Sequence, residues 1–316
     1  MDNARIFAAI IFVGSVVLLG DAWMKANQPP ALVKTQETAG VPTVTPDSTV
    51  PTATPGPSDT TSPTPTLSSL PAAVPASRIV TVRTDVLEAD IDTLGGVLRR
   101  LELLEHRSKD DPDSNLLLFE VTGERTYMAQ GGLIGDGLPN HTTPYQVVGN
   151  KFELQGGDDD LQVVLEAATV DGHDVFLRYT FHRGDYVIDV DYEIFNNSGL
   201  PVSGHGYFQF LRDGNPAAGD SKMRPTFTGA AIYTEESKFT KVDFEDMDKG
   251  KVKYPKKAED GWAAIVQHYF VAAWVLEQGT AREYFTRARD NGLYAVGVIV
   301  PVPEIEIGRA SCRERV

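Results

Sequence analysis

Cysteine is almost missing from this chain: of 316 residues, only Cys312 carries a thiol. A single thiol excludes an internal disulfide framework and a cysteine-based metal site. Basic residues are also scarce, 29 lysines and arginines against 44 aspartates and glutamates, for a net charge of −15. Phosphates and anionic headgroups would repel such a surface, which argues against nucleic acid as a partner and against lying on an anionic lipid face. The six histidines, at 106, 141, 173, 182, 205 and 268, include no i, i+4 pair and no His-Glu-x-x-His. Zinc is thereby left without a ligand set. No Gly-x-Ser-x-Gly elbow occurs, so nucleophilic catalysis has no candidate. Long apolar runs are rare too; there is one.

That run is residues 6–20, IFAAIIFVGSVVLLG, without a single charge. As a helix it would span about 22 Å, short of a hydrocarbon core of roughly 30 Å. Extending it from Ala4 to Met24 closes the gap, since Arg5 can snorkel to the headgroups and Trp23 suits an interface. A cleaved signal peptide is the competing reading, but Asp21-Ala22-Trp23-Met24-Lys25 offers no small-x-small cleavage site. Residues 1–25 are expected to form an uncleaved transmembrane anchor, touching the bilayer through residues 4–24. An envelope protein of Gram-negative type, held together by its core alone, would look like this.

Residues 26–77 differ in kind. Eleven of the chain's twenty prolines fall here among threonine, serine, alanine and valine. Such a segment has too few large apolar side chains to offset its ordering entropy, so a disordered, partly polyproline II linker is expected. From residue 78 to 307 the dominant signal has period two. Val175, Leu177, Tyr179 and Phe181 alternate with Phe176, Arg178, Thr180 and His182. Arg183-Gly184-Asp185 turns the chain, and Tyr186, Ile188, Val190, Tyr192 and Ile194 resume the pattern. That predicts an antiparallel hairpin with one wet face. Residues 79–82, 97–103, 116–121, 151–154, 161–167, 207–211, 239–244 and 293–300 read as further strands, and residues 171–172 as one of several turns. A dozen or so short strands with almost no helix predict an all-β fold, a large antiparallel sandwich. Residues 262–275 (WAAIVQHYFVAAWV) fit helical spacing as well as alternation, and the all-strand surroundings favour a buried strand. After residue 307 the chain turns abruptly basic. Residues 308–316, GRASCRERV, read as a non-native-looking tail and are set aside from the fold.

Other clusters carry little chemistry. Residues 131–137 (GGLIGDG) lack the lysine and helix of a phosphate loop and read as a turn-rich loop. Asp246-Met247-Asp248-Lys249-Gly250 misplaces its glycine for a calcium loop, and Lys257 stands where a bidentate glutamate belongs. One enzymatic possibility remains, because large sandwiches commonly bind sugars on a concave face. There His205, between Gly204 and Gly206 beside an aromatic strand, could pair with a carboxylate as base and acid. A histidine in a strand is more often a packed or surface residue. No catalytic, cofactor or metal residue is therefore assigned.

Six stretches together carry a resemblance. They are the charged and apolar start through Asp21-Ala22-Trp23, residues 90–96 (DIDTLGG), 127–135 (YMAQGGLIG), 182–186 (HRGDY), 227–231 (FTGAA) and 261–274 (GWAAIVQHYFVAAW). In this order they resemble the periplasmic domain of the YidC/Oxa1/Alb3 family of membrane protein insertases, over residues 1–307. The resemblance implies an uncleaved anchor with a cytoplasmic N-terminus in the inner membrane. It implies a periplasmic β-supersandwich related to sugar-mutarotase folds, without established catalysis. Implied partners are the Sec translocon with its accessory subunits, and nascent membrane proteins received by a later five-helix membrane core that has no counterpart before residue 316. There a hydrophilic groove relieves the cost of removing polar groups from water. The alternative reading is a membrane-anchored carbohydrate-binding or epimerase-like sandwich.

Overall fold

The computed structural model describes residues 49–53, 77–109, 111–167, 172–217, 226–306 and 308–315. The expected anchor, most of the linker and Asp171 of the expected 171–172 turn lie outside the described residues. Among those described, no helix is long and apolar enough to cross a membrane. The chain divides into two units, residues 1–46 and 47–316, and everything that follows belongs to the second.

Eighteen strands among the described residues build two nine-stranded sheets, with every ladder antiparallel. The first sheet runs β1 (Ile79–Arg83), β2 (Leu87–Asp92), β3 (Val97–Arg107), β4 (Asn115–Val121), β5 (Thr126–Ile134), β10 (Val202–Asp213), β17 (Leu293–Ile305), β16 (Arg282–Arg289), β13 (Lys257–Ala258). The second runs β12 (Lys238–Val242), β11 (Gly229–Thr234), β14 (Trp262–Gln267), β15 (Phe270–Val275), β18 (Gly308–Arg315), β9 (Ile188–Asn196), β8 (His173–His182), β7 (Asp160–Ala167), β6 (Tyr145–Val148). One short helix, α1 (Phe244–Asp248), sits between β12 and β13.

The expected hairpin is β8 and β9, in register from His173↔Asn196 to Phe181↔Ile188. Its alternate residues Val175, Leu177, Tyr179 and Phe181 are buried, as period two requires for a strand with one wet face. The core lies between the sheets. Phe208 and Phe210 of β10 meet Trp274 of β15, with ring centroids 5.1 Å and 5.5 Å apart, and all three are at most 1% exposed. Each such side chain contributes roughly 1.5–3 kcal/mol by leaving water. Tyr192 of β9 packs against Phe208 from the second sheet as well.

Several elements depart from the sequence reading. Residues 262–275 are not one strand but a hairpin, β14 and β15, joined at His268 and Tyr269 with Gln267 opposite Phe270. Apolar residues on both faces hide such a turn, since no glycine, proline, asparagine or aspartate marks it. Residues 131–137 are not all loop: Gly131 and Gly132 lie inside β5. A Cβ on Gly132 would come within 2.6 Å of the Tyr207 hydroxyl, so glycine there makes room for a tyrosine on the neighbouring strand. Residues 151–154 form no ladder; Arg83 N donates to Phe152 O and Leu154 N to Arg83 O, around one bridge. The strand expected over 239–244 ends at Val242, and Phe244 opens α1. The segment set aside as a tail supplies a strand: positions 308–315 pair with β9 along their length. Backbone pairing depends on the main chain rather than on side-chain composition, so basic character did not exclude it.

Candidate functional site

Two concavities bear on function. The first is a cleft of about 420 Å³ on the first sheet, where β10, β16 and β17 meet β13. His205 lines it, held on β10 opposite Ile134 of β5 and Pro301 of β17. The glycines on either side of His205 are buried, and the histidine is half-buried. Lys257, Glu259, Arg282 and Glu283 complete its polar lining. His205 thus lines the same cleft as the carboxylates of Glu259 and Glu283.

The charged groups are otherwise engaged. Arg282 is 3% exposed, and its guanidinium donates to four backbone carbonyls. Nε reaches Thr280 at 2.9 Å, Nη1 reaches Gly261 at 2.9 Å, and Nη2 reaches Glu259 at 3.3 Å as well as Glu277. An arginine with its donors committed to main chain is a rivet for loops 259–261 and 277–280, not an anion receptor. Beside it the Tyr284 hydroxyl donates to Asp260 O at 2.7 Å, and burial pushes its phenol up to about 12. Glu283 lies 4.0 Å from Lys257. Nothing in the sequence marked Arg282, since a lone arginine at a strand start carries no periodic signal.

The second concavity, about 330 Å³, is apolar. It opens between β15 and β9, over Leu101, Leu103 and Phe119 of β3 and β4. Among the described residues, no group of three or more histidine, cysteine, aspartate or glutamate side chains could hold a metal ion.

Of the stretches that carried the resemblance, residues 90–96, 182–186 and 261–274 prove to be scaffold, and the start of the chain lies outside the described residues. In DIDTLGG, Asp92 accepts from Leu94 N at 2.9 Å and from Arg99 Nη1 at 2.8 Å. Gly95 is left-handed, and a Cβ on it would stand 1.9 Å from His141 O. Gly96 offers its carbonyl to Tyr179 across the sheets. In HRGDY, His182 bridges Asp160 at 2.5 Å and Asp189 at 3.1 Å, while Gly184 N donates to Asp85. Burial opposes charge on His182, but the hydrogen bonds to the two carboxylates outweigh it and hold the imidazole above its usual range. In the 261–274 stretch, Gly261 and Trp274 fix the loop above Arg282 and the core.

Fold and site together define an all-β, two-sheet domain whose diagnostic residues serve turns and packing. Residues 79–312 match the family model described as the YidC periplasmic domain. The chain belongs to the YidC family of membrane protein insertases. It is 42% identical, over 98% of its length and 53% of the relative's, to the membrane protein insertase YidC of Nitrosomonas europaea. Against the insertase of the same name from Aromatoleum aromaticum the identity is 43%, over 98% of the chain and 56% of the relative. The chain therefore spans about half the length of the curated relatives it matches. Among solved structures, the galactose mutarotase related enzyme of Lactobacillus acidophilus aligns with a TM-score of 0.47 at 8% identity, over 76% of this chain and 97% of that one. A putative aldose 1-epimerase of Escherichia coli K12 aligns with a TM-score of 0.42 at 13% identity, over 76% and 97%.

Proposed function

We propose that this chain is the anchor, linker and periplasmic domain of an insertase that helps inner-membrane proteins insert and fold alongside the Sec translocon. The single observation behind the reading is the family match over residues 79–312. In this reading residues 1–25 span the inner membrane with the N-terminus in the cytoplasm, residues 26–77 are a spacer, and the domain begins at residue 78 in the periplasm. The two sheets are then a supersandwich of the mutarotase kind put to non-enzymatic use. Its partners are the translocon's accessory subunits, while the membrane core common to the family handles the nascent segments themselves. Transferring polar groups of those segments out of water is the costly step that such a core relieves.

One observation favours a second reading. His205 shares its cleft with Glu259 and Glu283, which is the ingredient list for sugar epimerisation. One experiment separates the two. The full chain in inner membranes, carrying photo-crosslinkers on exposed sheet residues, is expected to form adducts with translocon accessory subunits, and hexose titration of the purified chain is expected to show no saturable binding. No adducts, together with epimerase activity abolished by His205→Ala, would establish the carbohydrate reading instead.

A further inference from the structure

Five residues of the expected linker, Thr49-Val50-Pro51-Thr52-Ala53, lie against the first sheet. Arg289, at the end of β16, donates from Nη2 to the carbonyl of Thr49. Pro51 is buried. Ala53 forms part of the wall of the cleft that holds His205, together with Ala258 of β13 and Arg282 and Glu283 of β16. The segment therefore reaches from the Arg289 end of β16 toward its beginning.

This side of β16 is the outer edge of the sheet. β13, the last strand, pairs with β16 only at Arg282 and Glu283. Beyond that ladder, Tyr284 N donates to Lys256 O and Thr286 N to the Tyr254 hydroxyl, each at 2.8 Å. A strand edge is a template for pairing with another chain, and proteins blunt it with a covering loop or a proline. Pro51 has no N–H to add to a ladder, so the segment can cover the edge without extending it.

We propose that residues 49–53 are an intramolecular strap, which covers the outer edge of β16 and closes one side of the His205 cleft, so that entry to the cleft is controlled by the chain's own linker. The contact suits a part that can let go. It combines a hydrogen bond from a guanidinium to a carbonyl, stronger than a neutral pair, with one buried proline and one alanine. As a free pentapeptide this sequence would bind weakly. Residues 54–76 join it covalently to β1, which gives it an effective concentration on the order of millimolar over its seat. Any molecule that enters the cleft beside Ala53 competes with that concentration. The strap needs only the sheet, the cleft and these five residues, and it does not depend on the insertase reading.

Two measurements on the full chain in detergent test it. The first places spin labels at Thr52→Cys and Gln162→Cys, two exposed positions, in a Cys312→Ser background. A single narrow distance distribution is expected; a broad one would overturn the strap. The second replaces the segment by Thr49→Gly, Val50→Ser, Pro51→Gly, Thr52→Ser and Ala53→Gly, made together, and leaves every strand intact. Diethyl pyrocarbonate then modifies His205, with His268 on the second sheet as the internal reference. The ratio of the two rates is expected to rise about threefold or more as the open population grows. An unchanged ratio would overturn control of the cleft by the linker. Neither measurement touches the crosslinking result that tests the function.

Discussion

Tyr179 and Gly96 tie the two sheets together: the phenol of β8 donates to the glycine carbonyl in the β2–β3 turn at 2.6 Å. The hydroxyl lies in a buried setting that pushes its pKa well above the usual range, so it stays a donor at any working pH. Tyr179→Phe keeps the ring's packing and leaves the Gly96 carbonyl without this partner. The expected cost is about 1–3 kcal/mol, read as a lower urea midpoint with an unchanged slope.

Gly261, the one glycine of the 261–274 stretch, is tightly constrained. Its φ is +89°, and a Cβ there would stand 1.8 Å from Tyr233 O. Gly261→Ala combines a left-handed alanine with a backbone clash, and its carbonyl is one of the four that hold Arg282. The expected loss is at least about 2 kcal/mol, seen as a lower melting temperature. A neutral result would contradict the assigned geometry.

Stability should depend on pH through His182. Its folded pKa is raised, because the hydrogen bonds to Asp160 and Asp189 outweigh the effect of burial. The stabilisation is thus complete below the unfolded value of about 6.5 and is lost as pH rises through the folded value. His182→Gln is expected to remove about 0.5 kcal/mol at pH 5.5 and almost nothing at pH 9. Urea midpoints of both proteins across that range check the sign.

Arg212 is fully buried on β10, with only a 3.5 Å hydrogen bond to Asn215 O and a position 5.1 Å from the Tyr127 ring centroid. Its Nε and Nη1 have no partner, and burial lowers its pKa. Removing an under-paired buried charge in favour of an apolar side chain of similar length is commonly neutral or stabilising. Arg212→Met is therefore expected to hold or raise the melting temperature. A loss beyond about 2 kcal/mol would show that the cation–π contact dominates.

How much of this was legible depended on which residues face water. The β8–β9 hairpin was readable because Phe176, Arg178 and Asp191, all partly exposed, alternate with buried neighbours, so the pattern itself reports the two faces. The β14–β15 hairpin was not, since Ala263, Ile265, Ala272 and Trp274 are buried and no glycine, proline, asparagine or aspartate breaks the run. Gly131 and Gly132 were misleading because glycine signals a turn by its own freedom, whereas here its lack of a side chain serves tyrosines of other strands. Of the cleft, His205 was visible as a histidine between glycines. Arg282 was invisible, because what defines it is four carbonyls spread over residues 259–280.

Strand order also sets a timetable. Asn196 on β9 donates from Nδ2 to the carbonyl of Ile305, 109 residues further along the chain. Nothing made before that point can complete the middle of the second sheet. Contacts so distant in sequence are slow to form, since loop closure precedes any reward from pairing. Until the last strands are made the edge of β9 stays open, a window in which the half-made domain is prone to aggregate.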